Sequence, residues 1–147
     1  MALIFDKIDG YTLFTPIIIE SENNSFSALA LGPLAVLPQF QRRSIGSMIV
    51  NHGLYVSKKL KFGIIIVIGN PDYYKRFGFV SAHKNGIKTP FEVSNEVFMV
   101  IENNFGALKG VRGILRYPQD FLDLIKYLFK LPIQLPILEL RVRLDLL

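Results

Sequence analysis

Short apolar runs alternate with polar punctuation along the chain, and the period of each run predicts its element. Residues 2 to 5 form a short apolar run. Asp6-Lys7-Ile8-Asp9-Gly10 has hairpin-turn chemistry, because Asp-Gly tolerates positive φ. Residues 11 to 19 are rich in β-branched and aromatic types, with Pro16 marking a bulge or an edge, so the two runs predict an antiparallel hairpin. A polar loop at 21 to 25 precedes the next strand, 26 to 37, which Pro38 stops. After a polar turn at 39 to 44, Ile45, Met48, Ile49, Leu54, Tyr55 and Leu60 recur at the spacings of a core-facing helix. Lys58, Lys59 and Lys61 favour the negative end of its dipole, and Gly63 is the expected C-cap. Residues 64 to 68 are almost wholly apolar and β-branched, as in a strand buried on both faces. Strand, helix and strand in that order predict a βαβ unit, since parallel strands need a crossover.

Downstream, Gly69-Asn70-Pro71 ends the apolar run and an aromatic-basic segment closes at Gly78-Phe79. Residues 97 to 101 predict a strand and 110 to 115 a weaker one, with loops at Asn85-Gly86 and 103 to 106. From 121 to 129 the apolar positions share one helical face until Pro132 and Pro136 break it. Residues 138 to 146 alternate strictly, the pattern of a half-buried strand. No repeat, low-complexity tract or linker interrupts the chain, so residues 1–147 are expected to form a single domain.

Composition narrows the function classes. Half the residues are apolar and there are 12 phenylalanines, which excludes intrinsic disorder. A formal charge of +5 suits an acidic ligand such as a nucleotide cofactor. The basic residues are scattered, and no RNP-like, helix-turn-helix or zinc pattern is present, so neither nucleic acid nor a membrane is an expected partner. The chain has no cysteine, which removes disulfides, a thiolate nucleophile and cysteine metal sites. Asp6, Lys7 and Asp9 interrupt the apolar start, and no run approaches the roughly 18 to 20 apolar residues of a membrane span, so cytoplasmic location is the expectation. His52 and His83 are isolated, which gives no metal site, and Ser47, Ser57 and Ser81 lack a nucleophile-elbow context.

The candidate chemistry lies where strand passes into helix, at Gln41-Arg42-Arg43-Ser44-Ile45-Gly46. The first N–H groups of a helix lack intrahelical partners and carry partial positive charge. Small residues at 44, 46 and 47 let a phosphate approach the backbone, and Arg42 and Arg43 add full charges, so the junction predicts an anion site, most simply for a pyrophosphate. It is neither a Walker A loop nor the dinucleotide GxGxxG pattern. Against this stands the reading in which both arginines are solvated turn residues.

Gln41-x-x-Ser44-x-Gly46, after a strand ending Leu34-Ala35-Val36-x-Pro38, resembles motif A of the acetyl-CoA-dependent GNAT N-acetyltransferases, usually Q/R-x-x-G-x-G/A. Asn70-Pro71-x-Tyr73-Tyr74-x-x-x-Gly78-Phe79 resembles the following motif B, and the stretch is most similar to the YhbS-like branch of that family. Gly110-Val111-x-Gly113 with Arg116-Tyr117-Pro118 is similar to that branch's later region. Ser44 stands where the family prefers Gly; if the position requires positive φ, Ser adopts it less readily. The resemblance implies an α/β (α+β) fold: a mixed, mostly antiparallel sheet with a central splayed parallel strand pair and flanking helices. It begins at the family's second strand, leaving the first strand and its helices without a counterpart. On this reading residues 119 to 147 either cover the surface those elements would occupy or pair with a second chain in a homodimer.

For function the resemblance implies transfer of an acetyl group from acetyl-CoA to a primary amine by direct attack. The acceptor, a small molecule, a peptide N-terminus or a lysine, is left open. The pantetheine arm would bond the backbone of Leu34, Ala35 and Val36 as an added strand. The pyrophosphate would sit on the N–H groups near Arg43 to Ser47. The implied cofactor contacts are thus Leu34, Ala35, Val36, Gln41, Arg42, Arg43, Ser44, Ile45, Gly46, Ser47, Asn70 and Tyr73. Tyr74 matches the general acid that protonates the departing thiolate; the alternative is that Tyr73 and Tyr74 are packing aromatics beside Phe77 and Phe79. Glu20 is the carboxylate expected nearest the acceptor mouth and so the candidate base, the alternative being a solvated strand-end charge. Backbone N–H groups near Val36 or Leu37 would hold the developing oxyanion. The competing function is a shortened, non-catalytic module of the same fold that binds CoA or only a protein partner.

Overall fold

The computed structural model describes residues 3–7, 10–36 and 44–123. Three strands come first: β1 (Leu3–Lys7), β2 (Gly10–Glu20) and β3 (Ser25–Val36). Helix α1 (Ile45–Lys59) crosses to β4 (Ile64–Ile68), and a single helical turn, α2 (Pro71–Tyr74), follows. Four short strands complete the order: β5 (Val80–Ser81), β6 (Ile87–Lys88), β7 (Phe98–Glu102) and β8 (Gly113–Arg116). They form one eight-stranded sheet in the order β5-β7-β4-β3-β2-β8-β6, with β1 also paired to β2. The β3–β4 pair at its centre is parallel, joined by α1, and all other pairs except β6–β8 are antiparallel. The expected mixed sheet with a central parallel pair is therefore present. Residues 119–123 are helical, where the helix expected at 121 to 129 begins; the rest of that helix and the strand expected at 138 to 146 lie outside the described residues.

Proline at position 16 sits inside a long strand because of how β2 is flanked. Its inner edge pairs with β3 along its whole length, while its outer edge meets β1 at Gly10 to Phe14 and β8 only from Ile18. Pro16 falls in the gap between those two partners, where no ladder donor is required on that side.

The sheet has a core on each face. Leu29, Leu31, Ile65, Val67 and Met99 pack with Ile49, Val50 and Leu54 of α1, whereas Ala28, Ala30, Ile64, Ile66, Phe98 and Val100 face the other way. That alternation is the pleat with period two, and it explains why β4 is apolar throughout.

The buried stripe of α1 differs from the one apolar residues alone predict. Gly46, Ile49, Val50, Gly53, Leu54 and Ser57 are buried, while Met48, Tyr55 and Leu60 are exposed. The stripe still has helical spacing, but half of it is small rather than apolar. Any side chain at Gly53 would collide with the Phe14 ring, which is fully buried beneath the helix. A mid-helix glycine costs about 1 kcal/mol relative to alanine, and burying a phenylalanine stabilises by about 1.5–3 kcal/mol, so the close approach is favourable. The buried Ser57 hydroxyl is satisfied by donating to the Gly53 carbonyl at 2.7 Å.

The helix also ends earlier than expected. The N–H of Lys61 donates to the Lys58 carbonyl (3.0 Å) and that of Phe62 to the Ser57 carbonyl (2.9 Å), a Schellman closure. Lys61, not Gly63, takes the left-handed position, with φ 66°. At the other end Ser44 is left-handed too, with φ 64° and ψ 13° and no side-chain capping bond. Both are non-glycine residues held where a Cβ is unfavourable. Ser44→Gly and Lys61→Gly are each expected to stabilise the protein by about 0.5–1 kcal/mol, read as a higher urea midpoint at unchanged slope, with alanine at either position giving no such gain.

Candidate functional site

β3 and β4 run together only from Leu29↔Ile65 to Leu31↔Val67. Beyond that point β4 stays with β7, through Ile68↔Phe98 and the Gly69 N–H to the Val97 carbonyl (3.0 Å). β3 stays with β2 instead, pairing Leu34, Ala35 and Val36 with Thr12, Tyr11 and Gly10. The cause is an irregularity in β3. Thr12 to Phe14 is opposed by Leu34 to Leu31, so β3 carries one residue more than its partner, at Gly32-Pro33. Gly32 has φ 137°, a conformation that side chains disfavour. Such a bulge bends its strand. It also lets Leu31 and Leu34, an odd number apart, both face α1. Among the described residues no strand covers the outer edge of Leu34, Ala35 and Val36.

Ile45, at the start of α1, packs on the same core cluster as Leu34 of this edge. Met48 N–H reaches the Ser44 carbonyl at 3.0 Å, and the N–H groups of Ile45, Gly46 and Ser47 have no acceptor among the described residues. No acidic residue occupies the first turn of the helix, so no carboxylate of that turn competes for its positive end. Gly46 is buried, Ile45 packs on the core, and Ser47 is partly exposed. Gln41, Arg42 and Arg43 lie outside the described residues.

Across from it, the Asn70 side chain caps α2 by accepting from the Asp72 N–H at 2.9 Å, with Pro71 opening the turn. Tyr74 follows at 4% exposure, within the same core as α1. Its ring meets Tyr73 edge-on (5.0 Å) and Phe79 (5.6 Å), and it lies so close over Gly69 that any side chain there would strike it. No hydrogen bond among the described residues engages its hydroxyl. Burial, and secondarily the neighbouring Tyr73, push its pKa far above the ordinary phenol range. The group therefore stays protonated at neutral pH, as a proton donor must. The Tyr73 hydroxyl is buried, with no hydrogen-bond partner among the described residues. Burial raises its pKa; Ser47 and Arg76 stand near enough to oppose that rise without meeting it in hydrogen-bonding geometry.

Arg76 is a site residue that the sequence pattern alone left unremarked. Its Nη2 donates to Ser47 Oγ at 3.3 Å and its Nε to the Tyr73 carbonyl at 3.2 Å. The signal available in the sequence was a pair of cations, Lys75 and Arg76, inside the aromatic segment ahead of Gly78-Phe79.

Glu20 is not brought to this site. It closes β2 opposite Ser25 and Ile114, is about half exposed, and pairs with Arg116 Nε at 3.3 Å. At about 3.3 Å per residue that end lies roughly 25 Å along the sheet from Leu34. Antiparallel pairing is the reason: β2 begins beside the gap and ends at the start of β3, away from it. Among the described residues no three metal-ligating side chains gather, and no helix is long and apolar enough to cross a membrane.

Three phenols, Tyr73, Tyr74 and Tyr117, have folded pKa values raised by burial above the ordinary value near 10. A raised pKa gives stability fully present below pH 10 and lost as pH climbs from there toward the folded value, at a limiting slope of about 1.4 kcal/mol per pH unit for each group. Absorbance titration of phenolate should show Tyr74 and Tyr117 ionising only with unfolding, and Tyr74→Phe should flatten the alkaline fall in melting temperature.

The fold has counterparts among known proteins. No protein-family model matches the chain. An uncharacterized N-acetyltransferase of Escherichia coli strain K12, YhbS, is 26% identical over 115 residues, covering 78% of this chain and 68% of its own length. The crystal structure of the E. coli GNAT-family protein YhbS, in complex with CoA, superposes with a TM-score of 0.71 at 25% identity, over 77% of this chain and 62% of that one. A GNAT-family acetyltransferase from Brucella melitensis, in complex with acetyl-CoA, shares the fold at 22% identity and a TM-score of 0.60, over 82% of this chain and 67% of that one. The parted β3–β4 pair, the helix start that is uncapped among the described residues, and these likenesses make the chain similar to the YhbS-like N-acetyltransferases of the GNAT family.

Proposed function

We propose that this protein transfers an acetyl group from acetyl-CoA to a primary amine by direct attack of the amine on the thioester. The observation that carries the reading is the backbone edge of Leu34, Ala35 and Val36 together with three N–H groups at the start of α1, all without a partner among the described residues. An extended amide-bearing arm would add to that edge as a strand does, and a diphosphate would suit the helix start. CoA supplies both chemistries in one molecule, and the solved YhbS and Brucella proteins were crystallised with CoA and acetyl-CoA.

In the reaction a C–N bond forms, the C–S bond breaks, the amine nitrogen loses a proton and the sulfur gains one. Tyr74 is the residue we assign to the last step. Its raised pKa keeps the proton in place until a strong base such as a thiolate appears, and no hydrogen bond among the described residues engages its hydroxyl. On this reading the phosphate end rests on the amides of Ile45, Gly46 and Ser47, with Arg42 and Arg43, just before them in sequence, as added charges and Asn70 and Tyr73 as further contacts. The acceptor amine, by this account, approaches near the point where β3 and β4 separate. Glu20 stands too far off to take its proton, so the base is water or a group on the acceptor side. That vacancy is what favours the second reading, a CoA-binding or protein-interaction module without turnover.

A ligand that binds only the native state raises its melting temperature, by about 2.7 kcal/mol of stability at a hundredfold excess over Kd. Acetyl-CoA and CoA should raise it by several degrees and ATP much less. Turnover across a panel of amines should fall about 10²–10⁴-fold in Tyr74→Phe while the shift with acetyl-CoA persists. Binding without turnover in the wild type supports the CoA-binding module; no binding at all removes acetyl transfer and CoA binding together and leaves only a protein-interaction role.

A further inference from the structure

Arg76 does more than a surface arginine of its exposure normally does. Exposed arginines gain little from isolated pairs, because side-chain entropy and solvent offset them. Here one guanidinium makes three directed contacts: Nε to the Tyr73 carbonyl (3.2 Å), Nη2 to Ser47 Oγ (3.3 Å), and its carbon 4.4 Å from the Tyr73 ring centroid. The Tyr73 carbonyl and the Tyr74 N–H belong to one planar peptide unit. Arg76 holds the oxygen side of that unit, and the Asn70 carbonyl holds the Tyr74 N–H at 3.1 Å. Ser47 belongs to the first turn of α1, whose amides are the proposed anion site.

We propose that Arg76 is a positioning residue: a strut that fixes the turn carrying Tyr74 against the first turn of α1. The strut sets the separation between the diphosphate-binding amides and the proton-donating phenol. It rests on the acetyltransfer reading above. A lysine would not replace it, because a single ammonium has no planar fork with which to stack on Tyr73 and reach two acceptors. Displacement of about 1 Å in such a constellation can cost up to about 10²-fold in rate.

The test is kinetic and uses the full chain with its best amine. Arg76→Ala and Arg76→Lys should each lower kcat about 10- to 100-fold, with KM for acetyl-CoA changing less than about threefold. In a Tyr74→Phe background Arg76→Ala should cost almost nothing further, because the strut acts through Tyr74. A rise in KM at unchanged kcat would make Arg76 a phosphate ligand and overturn the proposal. So would an equal loss of rate in both backgrounds, the mark of a merely structural role. A second readout needs no turnover. Arg76 lowers the Tyr73 pKa against burial, so Arg76→Ala should move Tyr73 ionisation to higher pH in the unliganded protein. An unmoved Tyr73 titration overturns the strut itself. A wild type inactive on every amine overturns the acetyltransfer reading and the catalytic part of this role, leaving the strut to stand or fall on that titration.

Discussion

One extra residue in β3 governs the site. Gly32 and Pro33 fit into the strand as a bulge where only a glycine takes the backbone easily, and the strand turns away from β4 at that level. β4 does not follow, because β7 holds it by a continuous ladder from Ile64 to Ile68. Two neighbouring strands that should share hydrogen bonds are each committed elsewhere, and among the described residues the edge of β3 is left with donors and acceptors to spare. An unpaired edge is ordinarily a liability in a folded protein, and here it lies at the centre of the sheet rather than at its rim.

The helix that bridges the two strands completes the geometry. Small residues along its buried stripe let α1 lie close on Phe14, which fixes where its first turn stands. Asn103 ties the opposite end through Nδ2 to the Leu54 carbonyl at 2.9 Å, so the helix is held at its last turns as well as along its face. Most of what the site offers a ligand is backbone: the edge at 34–36 and the amides at 45–47. Backbone recognition demands conformation more than side-chain identity. The side-chain chemistry is concentrated in one turn, where Asn70, Tyr73, Tyr74 and Arg76 follow each other closely.

Much of this was legible in the chain. The apolar, β-branched run at 64–68, the helical spacing before it and the Asn70-Pro71 start signal each name a local structure with a local cause. The helix–strand junction and the tyrosine turn were visible as motifs. Features set by tertiary contact were not. Met48, Tyr55 and Leu60 look like core and are exposed, because hydrophobicity does not show that Gly46, Gly53 and Ser57 form the face pressed against the sheet. Gly63 looks like the helix cap, yet the Schellman bonds close two residues earlier on a lysine. Glu20 sits at a strand end, and a strand has two ends; pairing direction alone decides which one faces the cleft. The bulge had a signal, a Gly-Pro inside an apolar strand, but its consequence depends on the register with β2.

The central claim is that the free edge of β3 and the start of α1 receive one ligand together. Hydrogen–deuterium exchange with and without CoA measures this directly. Slower exchange at the amides of residues 34–36 and 45–47, with the Glu20 and Ile114 end of the sheet unchanged, is the predicted result. CoA that binds while exchange at 34–36 stays as fast as in the free protein would contradict it.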